Sequence, residues 1–433
     1  MTTMEIDGIP VEVEVPDRLD DLPNLPTALL VFGIGAVHEP LDAQGLTYAA
    51  AVAVTHPAAP VRVTVADDRT FFQLSCAAAE LPGHLGPLCA AISAAYQRPV
   101  RAQTPPTGHP KSTTASLLGH RIRGAAPDRW PDVDLSLFSP EEIERHLRTH
   151  FTAGNARLLL TVPVPPGLRL ALPPGPPTTP APLIATPGTW WYADDVYGPG
   201  LSIVVTREGI DARLLLEVLG ERVERGLAAT GQDFRAMTLM RVVGDEQIVC
   251  TLDLQDRAYT EGHHQLAAEA LWIEARRLAD LGPAPGEVRQ LDDVDPQLAL
   301  EAYRQALRDT ALVVVPRGVQ PRLTDLREVS CWTRSVMGPT GQELKPPLLK
   351  RTSTTDRLFV TADTVTVLGK DGAEHTTRAT DLLVVTDDDQ LWLCDAAHHC
   401  AIEVSAFRHH RDRLGQLVSP RRRRTMVTDR RFG

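Results

Sequence analysis

TFFQLSCAAAELPGHLGPLCAAISAAY (Thr70 to Tyr96) and EQIVCTLDLQDRAYTEGHHQLAAEALWIEA (Glu246 to Ala275) begin about 175 residues apart. Each opens with an apolar strand run, crosses a short polar turn and continues as an amphipathic helix. In the first, Leu85, Leu88, Cys89 and Ile92 keep the three- and four-residue spacing of one helix face. Few residues are shared, so what repeats is the pattern, and it predicts two similar α+β halves.

The flanking sequence fits that plan. Ala28–Ile34 is a continuous apolar run suited to a buried strand, and Arg62–Val65 with Thr70–Ala78 reads as a hairpin turned by Asp67-Asp68. Ser139-Pro140-Glu141-Glu142 carries a helix start, with a Ser cap, Pro in the first turn and Glu at the third position. That helix runs to about Phe151, and a strand follows at Arg157–Val162. In the second half, strands are expected at Leu201–Thr206, Leu239–Val243 and Gln247–Leu254. Helices are expected at Leu214–Ala228 and His263–Leu281.

Composition shifts set the expected boundaries: a first half over 1–165, a proline-rich linker over 166–189 and a second half over 190–308. A small mostly-β domain is expected over 309–420, followed by a basic tail over 421–433. In the third region short alternating strands, separated by turns such as GKDG and TDDD, precede a helix at Ser405–Val418. By fold analogy this resembles a pleckstrin-homology-like barrel. Arg421–Arg424 reads as part of a solvated tail or as a dock for an acidic partner.

A net charge of −11 argues against a nucleic-acid-binding body. No run approaches the roughly 18 apolar residues that span a membrane. The acidic, strand-like start lacks the basic and apolar regions of a signal peptide. Six scattered cysteines fit a reducing cytoplasm, mostly as small buried residues.

Two segments carry a family likeness. These are TALLVFGIGAVHEPLDAQGLTYAA, from Thr27 to Ala50, and PDVDLSLFSPEEIERHLRTHFTAGNARLLLTVPVPPGLRLALPPG, from Pro131 to Gly175. Together they resemble the insulinase/pitrilysin-type zinc peptidases over roughly residues 1–308. The likeness is strongest in the Phe151 to Asn155 block. It implies two insulinase-type α/β-sandwich halves.

It also implies a zinc site, which the family builds on a helix reading H-x-x-E-H. Two imidazoles one turn apart hold the metal there, and the Glu deprotonates the bound water. Set on the family motif through Gly45-Leu46-Thr47, this sequence has Tyr48 and Val52 at the two His positions and Ala51 at the base. The third ligand is expected 70–80 residues later, yet residues 81–127 contain no Asp or Glu, and H-x-x-E-H occurs nowhere. Family members also bind substrate with an Arg and a Tyr in the second half, where Leu227 and Phe234 stand here.

The resemblance therefore implies a degenerate member with no catalytic residue and no cofactor. It would bind peptide by adding a strand at Val63, Thr64 and Val65, with Phe234 as a retained aromatic contact. The implied partner is a zinc-bearing paralogue in a heterodimer, or a second copy in a homodimer. Two rival readings are a self-associating scaffold using the C-terminal β domain and an active enzyme with an unconventional site.

Three side-chain sets have metal-compatible spacing. They are Glu142/His146/His150, Glu261/His263/His264/Glu269, and Cys394/His398/His399/Cys400. For each, a helix terminus or a pair of inward strand positions is the simpler expectation, so no metal is assigned.

Overall fold

The computed structural model describes residues 2–14, 27–55, 60–66, 68–94, 135–179, 190–194, 198–243, 247–256, 263–284, 287, 294–316, 319–328, 332–333, 338–347, 357–369, 372–386, 390–397 and 400–425. The chain is α+β and divides into two compact units. One takes residues up to 105 together with 132–182, and the other includes everything from 183 onward.

The first unit is a six-stranded sheet with helices. Its strands are β1 (Thr2–Ile6), β2 (Ile9–Val13), β3 (Ala28–Phe32), β4 (Val61–Val65), β5 (Thr70–Leu74) and β6 (Ala156–Leu160), in the order β1-β2-β6-β3-β5-β4. Asp7 and Gly8 turn the β1–β2 hairpin with φ of 52° and 81°, as a tight two-residue turn requires. Helix α1 (Leu46–Val54) lies between β3 and β4, α2 (Leu81–Ser93) follows β5, and α3 (Pro140–His150) precedes β6. The Ser139 hydroxyl accepts from the Glu142 N–H, and the Glu142 carboxylate accepts from the Ser139 N–H, so the expected capping box forms.

The second unit repeats this plan. Its sheet runs β12-β7-β11-β8-β10-β9, built from β7 (Trp190–Asp194), β8 (Gly200–Thr206), β9 (Phe234–Val243), β10 (Gln247–Asp256), β11 (Leu312–Pro316) and β12 (Arg327–Glu328). Read from the β4 and β9 edges inward, the first five strands correspond, including the parallel pairs β2–β6 and β7–β11, while the sixth differs: β1 pairs antiparallel with β2, and β12 pairs in parallel with β7. The helices correspond too: α4 (Ala212–Ala229) lies between β8 and β9, α5 (His263–Leu281) follows β10, and α6 (Pro296–Thr310) precedes β11. Each half closes over its own apolar core.

Two boundaries move. Strand β11 sits between β7 and β8, so the second half runs past 308 to at least Glu328. The proline-rich stretch is less of a linker than its composition suggests. Leu168 and Leu170 are buried in the first core, the Leu170 N–H donates to the Asp7 carboxylate at 2.8 Å, and the Ala153 N–H donates to the Pro173 carbonyl at 2.8 Å. Residues 180–189 lie outside the described residues.

The third region has two four-stranded sheets around one core. The first joins β13 (Gln342–Leu344), β14 (Arg357–Val360), β15 (Thr364–Leu368) and β16 (Glu374–Arg378). The second joins β17 (Leu382–Thr386), β18 (Leu391–Asp395), β19 (Cys400–Glu403) and β20 (Arg423–Thr425), with helix α7 (Arg411–Gln416) before β20. The expected basic tail is thus partly built into the domain. Strand β20 pairs in parallel with β17, Arg424 is 3% exposed, and the Arg422 guanidinium donates to the Ala379 carbonyl. Residues 426–433 lie outside the described residues. Among the described residues, no helix is long and apolar enough to cross a membrane.

Candidate functional site

Helix α1 is where the family likeness would put chemistry. It is short and alanine-rich, and it begins at Gly45, whose φ of 90° suits glycine. The Glu39 carboxylate accepts from the Gly45 N–H at 2.8 Å and the Thr47 N–H at 2.5 Å, so an acid satisfies the open amides at the positive end of the helix.

Leu46, Thr47, Ala49, Ala50, Ala51, Ala53 and Val54 are buried, while Tyr48 and Val52, one turn apart, are half-buried. The least covered line of the helix is therefore the one on which a paired-His site would stand. It carries a phenol and an isopropyl group. Val52 has no lone pair to offer a metal, and Ala51 cannot move a proton. These residues do not fit the family's catalytic zinc, and no hydrolytic step follows from them.

Helix α3 packs against α1. Its His146 Nε2 lies 3.0 Å from the Thr47 hydroxyl, and its ring is 4.7 Å from that of His150. Burial, then the neighbouring His150 and His38, push the His146 imidazole down to about 3. Burial and His38 also lower His150. Both rings favour the neutral form. His150 Nδ1 lies 3.2 Å from the Thr178 hydroxyl, while Glu142 turns back to cap its own helix. The Glu142/His146/His150 set does not converge on one point.

The other two sets are also apart where described. His264 Nε2 faces the Asp256 carboxylate at 3.6 Å, while Glu269 accepts from the Arg322 N–H at 2.9 Å. Glu261 lies outside the described residues. Cys394 is buried on β18. His398, His399 and the side chain of Cys400 lie outside the described residues, so that set stays an expectation. Its neighbour Asp395 instead accepts from Thr377 at 2.9 Å and lies 2.8 Å from His375 Nε2, all three being buried.

The expected aromatic contact is corrected. Phe234 is 5% exposed and packs edge-on against His264 in the second core, and Leu227 is 4% exposed there. A ring placed at a strand start beside a helix end fills the core before it can meet a ligand.

Strand β4 is an edge. It pairs with β5 on one side, and among the described residues no strand pairs on the other. The Ala66 N–H donates to the Arg69 carbonyl at 2.8 Å. Antiparallel alternation from that bond directs the backbone of Thr64 and Arg62 to β5 and that of Val61, Val63 and Val65 to the open side. Of the three expected contact residues, Val63 and Val65 offer outward backbone groups, and Thr64 belongs to the ladder.

One cluster escaped the sequence reading. Cys76, Glu80 and His84 bring their ligand atoms within 4.8 Å of one another. The signal was the four-residue spacing C-x-x-x-E-x-x-x-H across a helix start.

No family model and no curated protein matches this sequence. Among solved structures, the chain is similar to the first half of the periplasmic protease PqqL from Escherichia coli. Identity is 10%, the match covers 73% of this chain and 91% of that one, and the TM-score is 0.48. A predicted insulinase family protease from Yersinia pestis is similar at 13% identity, over 75% of this chain and 93% of that one, with a TM-score of 0.43. Pitrilysin is similar at 13% identity, over 73% of this chain and 44% of that one, with a TM-score of 0.41. At these identities no residue's role transfers, and the site is read from its own geometry.

Proposed function

We propose that this chain is a non-catalytic, insulinase-type peptide-binding subunit that holds an extended peptide along β4 and works with a zinc-bearing paralogue. The observation that carries the reading is the pairing of a metal-incompetent helix line, Tyr48 and Val52, with an open sheet edge in the same half. Strand addition is made by backbone atoms, so it survives the loss of every catalytic side chain. The partner supplies H-x-x-E-H, and this chain aligns the peptide; proximity alone can then lower the partner's barrier. The pleckstrin-homology-like C-terminal domain is an added interaction module. Among the described residues, the Cys76, Cys89 and Cys250 thiols support work in the reducing cytoplasm.

Val63→Pro tests the edge. Its N–H points away from β5, so proline removes an outward donor and no ladder bond, and edge strands tolerate it. Fluorescence anisotropy with an extended, unstructured peptide pool is expected to show at least a tenfold loss of binding in this variant, with the melting temperature within a few degrees of wild type. Equal binding in both proteins overturns the edge assignment. Co-purification of the zinc-bearing paralogue supports the heterodimer, and a stable homodimer that ignores it overturns that part.

A further inference from the structure

We propose that Cys76, Glu80 and His84 bind one divalent transition-metal ion of the zinc class. The site lies in the first half where β5 gives way to α2. It is independent of α1 and of the peptide edge, so its failure and theirs are separately visible.

The geometry is that of a prepared three-ligand site. The Cys76 main chain is fixed by Thr27, whose hydroxyl donates to the Cys76 carbonyl at 2.7 Å and accepts from its N–H at 3.3 Å. Glu80 is the N-cap residue of α2, and its Oε2 accepts from the Ala77 N–H at 3.2 Å, which holds the carboxylate over the turn. His84 stands four residues further on, so the imidazole and the carboxylate share one helix face.

The ligand atoms lie within 4.8 Å of one another, and tetrahedral zinc with bonds of about 2.0–2.3 Å sets its ligands about 3.5 Å apart. A change of side-chain rotamer closes that difference. Cys76 and His84 are half-buried and Glu80 is exposed, so the fourth position faces water. A thiolate, an imidazole and a carboxylate together favour zinc, cobalt or nickel over magnesium or calcium. The thiolate and carboxylate charges offset the positive end of α2, which would otherwise repel a cation. Bound metal would tie the end of β5 to the start of α2.

The test uses the full chain stripped with a chelator and titrated with cobalt(II), whose thiolate bond gives a charge-transfer band in the near ultraviolet. The expected result is one cobalt per chain, displaced by zinc, with the band absent in Cys76→Ser. Affinity should fall at least about tenfold in His84→Ala, a change on a half-exposed helix position. Melting temperatures of the metal-free variants equal to wild type show that the fold is intact. No band in wild type, or a band that persists in Cys76→Ser, overturns the proposal.

Discussion

A chain ended after residue 308 is expected to lose the fold of its second half, and one ended after Glu328 to keep it. Strand β11 is the reason. It joins β7 to β8, and Leu312, Val313, Val314 and Val315 are at most 2% exposed. Each such side chain contributes about 1.5–3 kcal/mol on burial. Together they contribute roughly 6–12 kcal/mol, comparable with the whole stability of a domain at about 5–15 kcal/mol. The shorter chain also leaves β7 without either of its parallel partners, β11 and β12. Calorimetry of both truncations against the full chain checks this: the transition of the second half should vanish in the first and persist in the second. A transition retained by the first would show that β11 is an accessory strand.

Phe151→Ala is expected to destabilise the first half by about 3–5 kcal/mol. Phe151 is fully buried at the C-terminal cap of α3, and its ring lies 4.8 Å from Phe32 on β3 and 6.0 Å from Phe72 on β5. Phe32 and Phe72 meet edge-on at 5.8 Å, which closes a triangle of rings between helix and sheet. The next turn locks against the same place. Asn155 donates to the His150 carbonyl at 2.7 Å and accepts from the Thr178 N–H at 3.0 Å, and a Cβ on Gly33 would meet the Asn155 oxygen at 2.7 Å. The cavity left by alanine therefore has little room to collapse. The shift of the first urea transition reads the effect, with Phe151→Leu as a milder control. A loss below about 1 kcal/mol would mean that the triangle is not the keystone of this half.

The two-half plan was legible in sequence because the strand–turn–helix pattern at Thr70 and Glu246 is local. The seam at 308 was not, although the same signals were present. Asp295-Pro296 caps α6 as Ser139-Pro140 caps α3, and LVVVP stands where ARLLL stands in the first half. Alternation further along the third region masked that match. The Phe234 reading failed because spacing locates a ring in the chain without saying which side of the sheet it fills. Arg424 shows the converse, since a run of four arginines reads as solvated until one of them becomes a buried strand residue. The Cys76/Glu80/His84 set was hidden by reading each cysteine singly as a small apolar residue.

The most direct test is mass spectrometry of an extended peptide pool incubated with the pure chain, with and without added zinc, beside anisotropy on the same pool. The account predicts peptides that are bound and left uncut under both conditions. Cleavage that zinc supports and a chelator abolishes would contradict it.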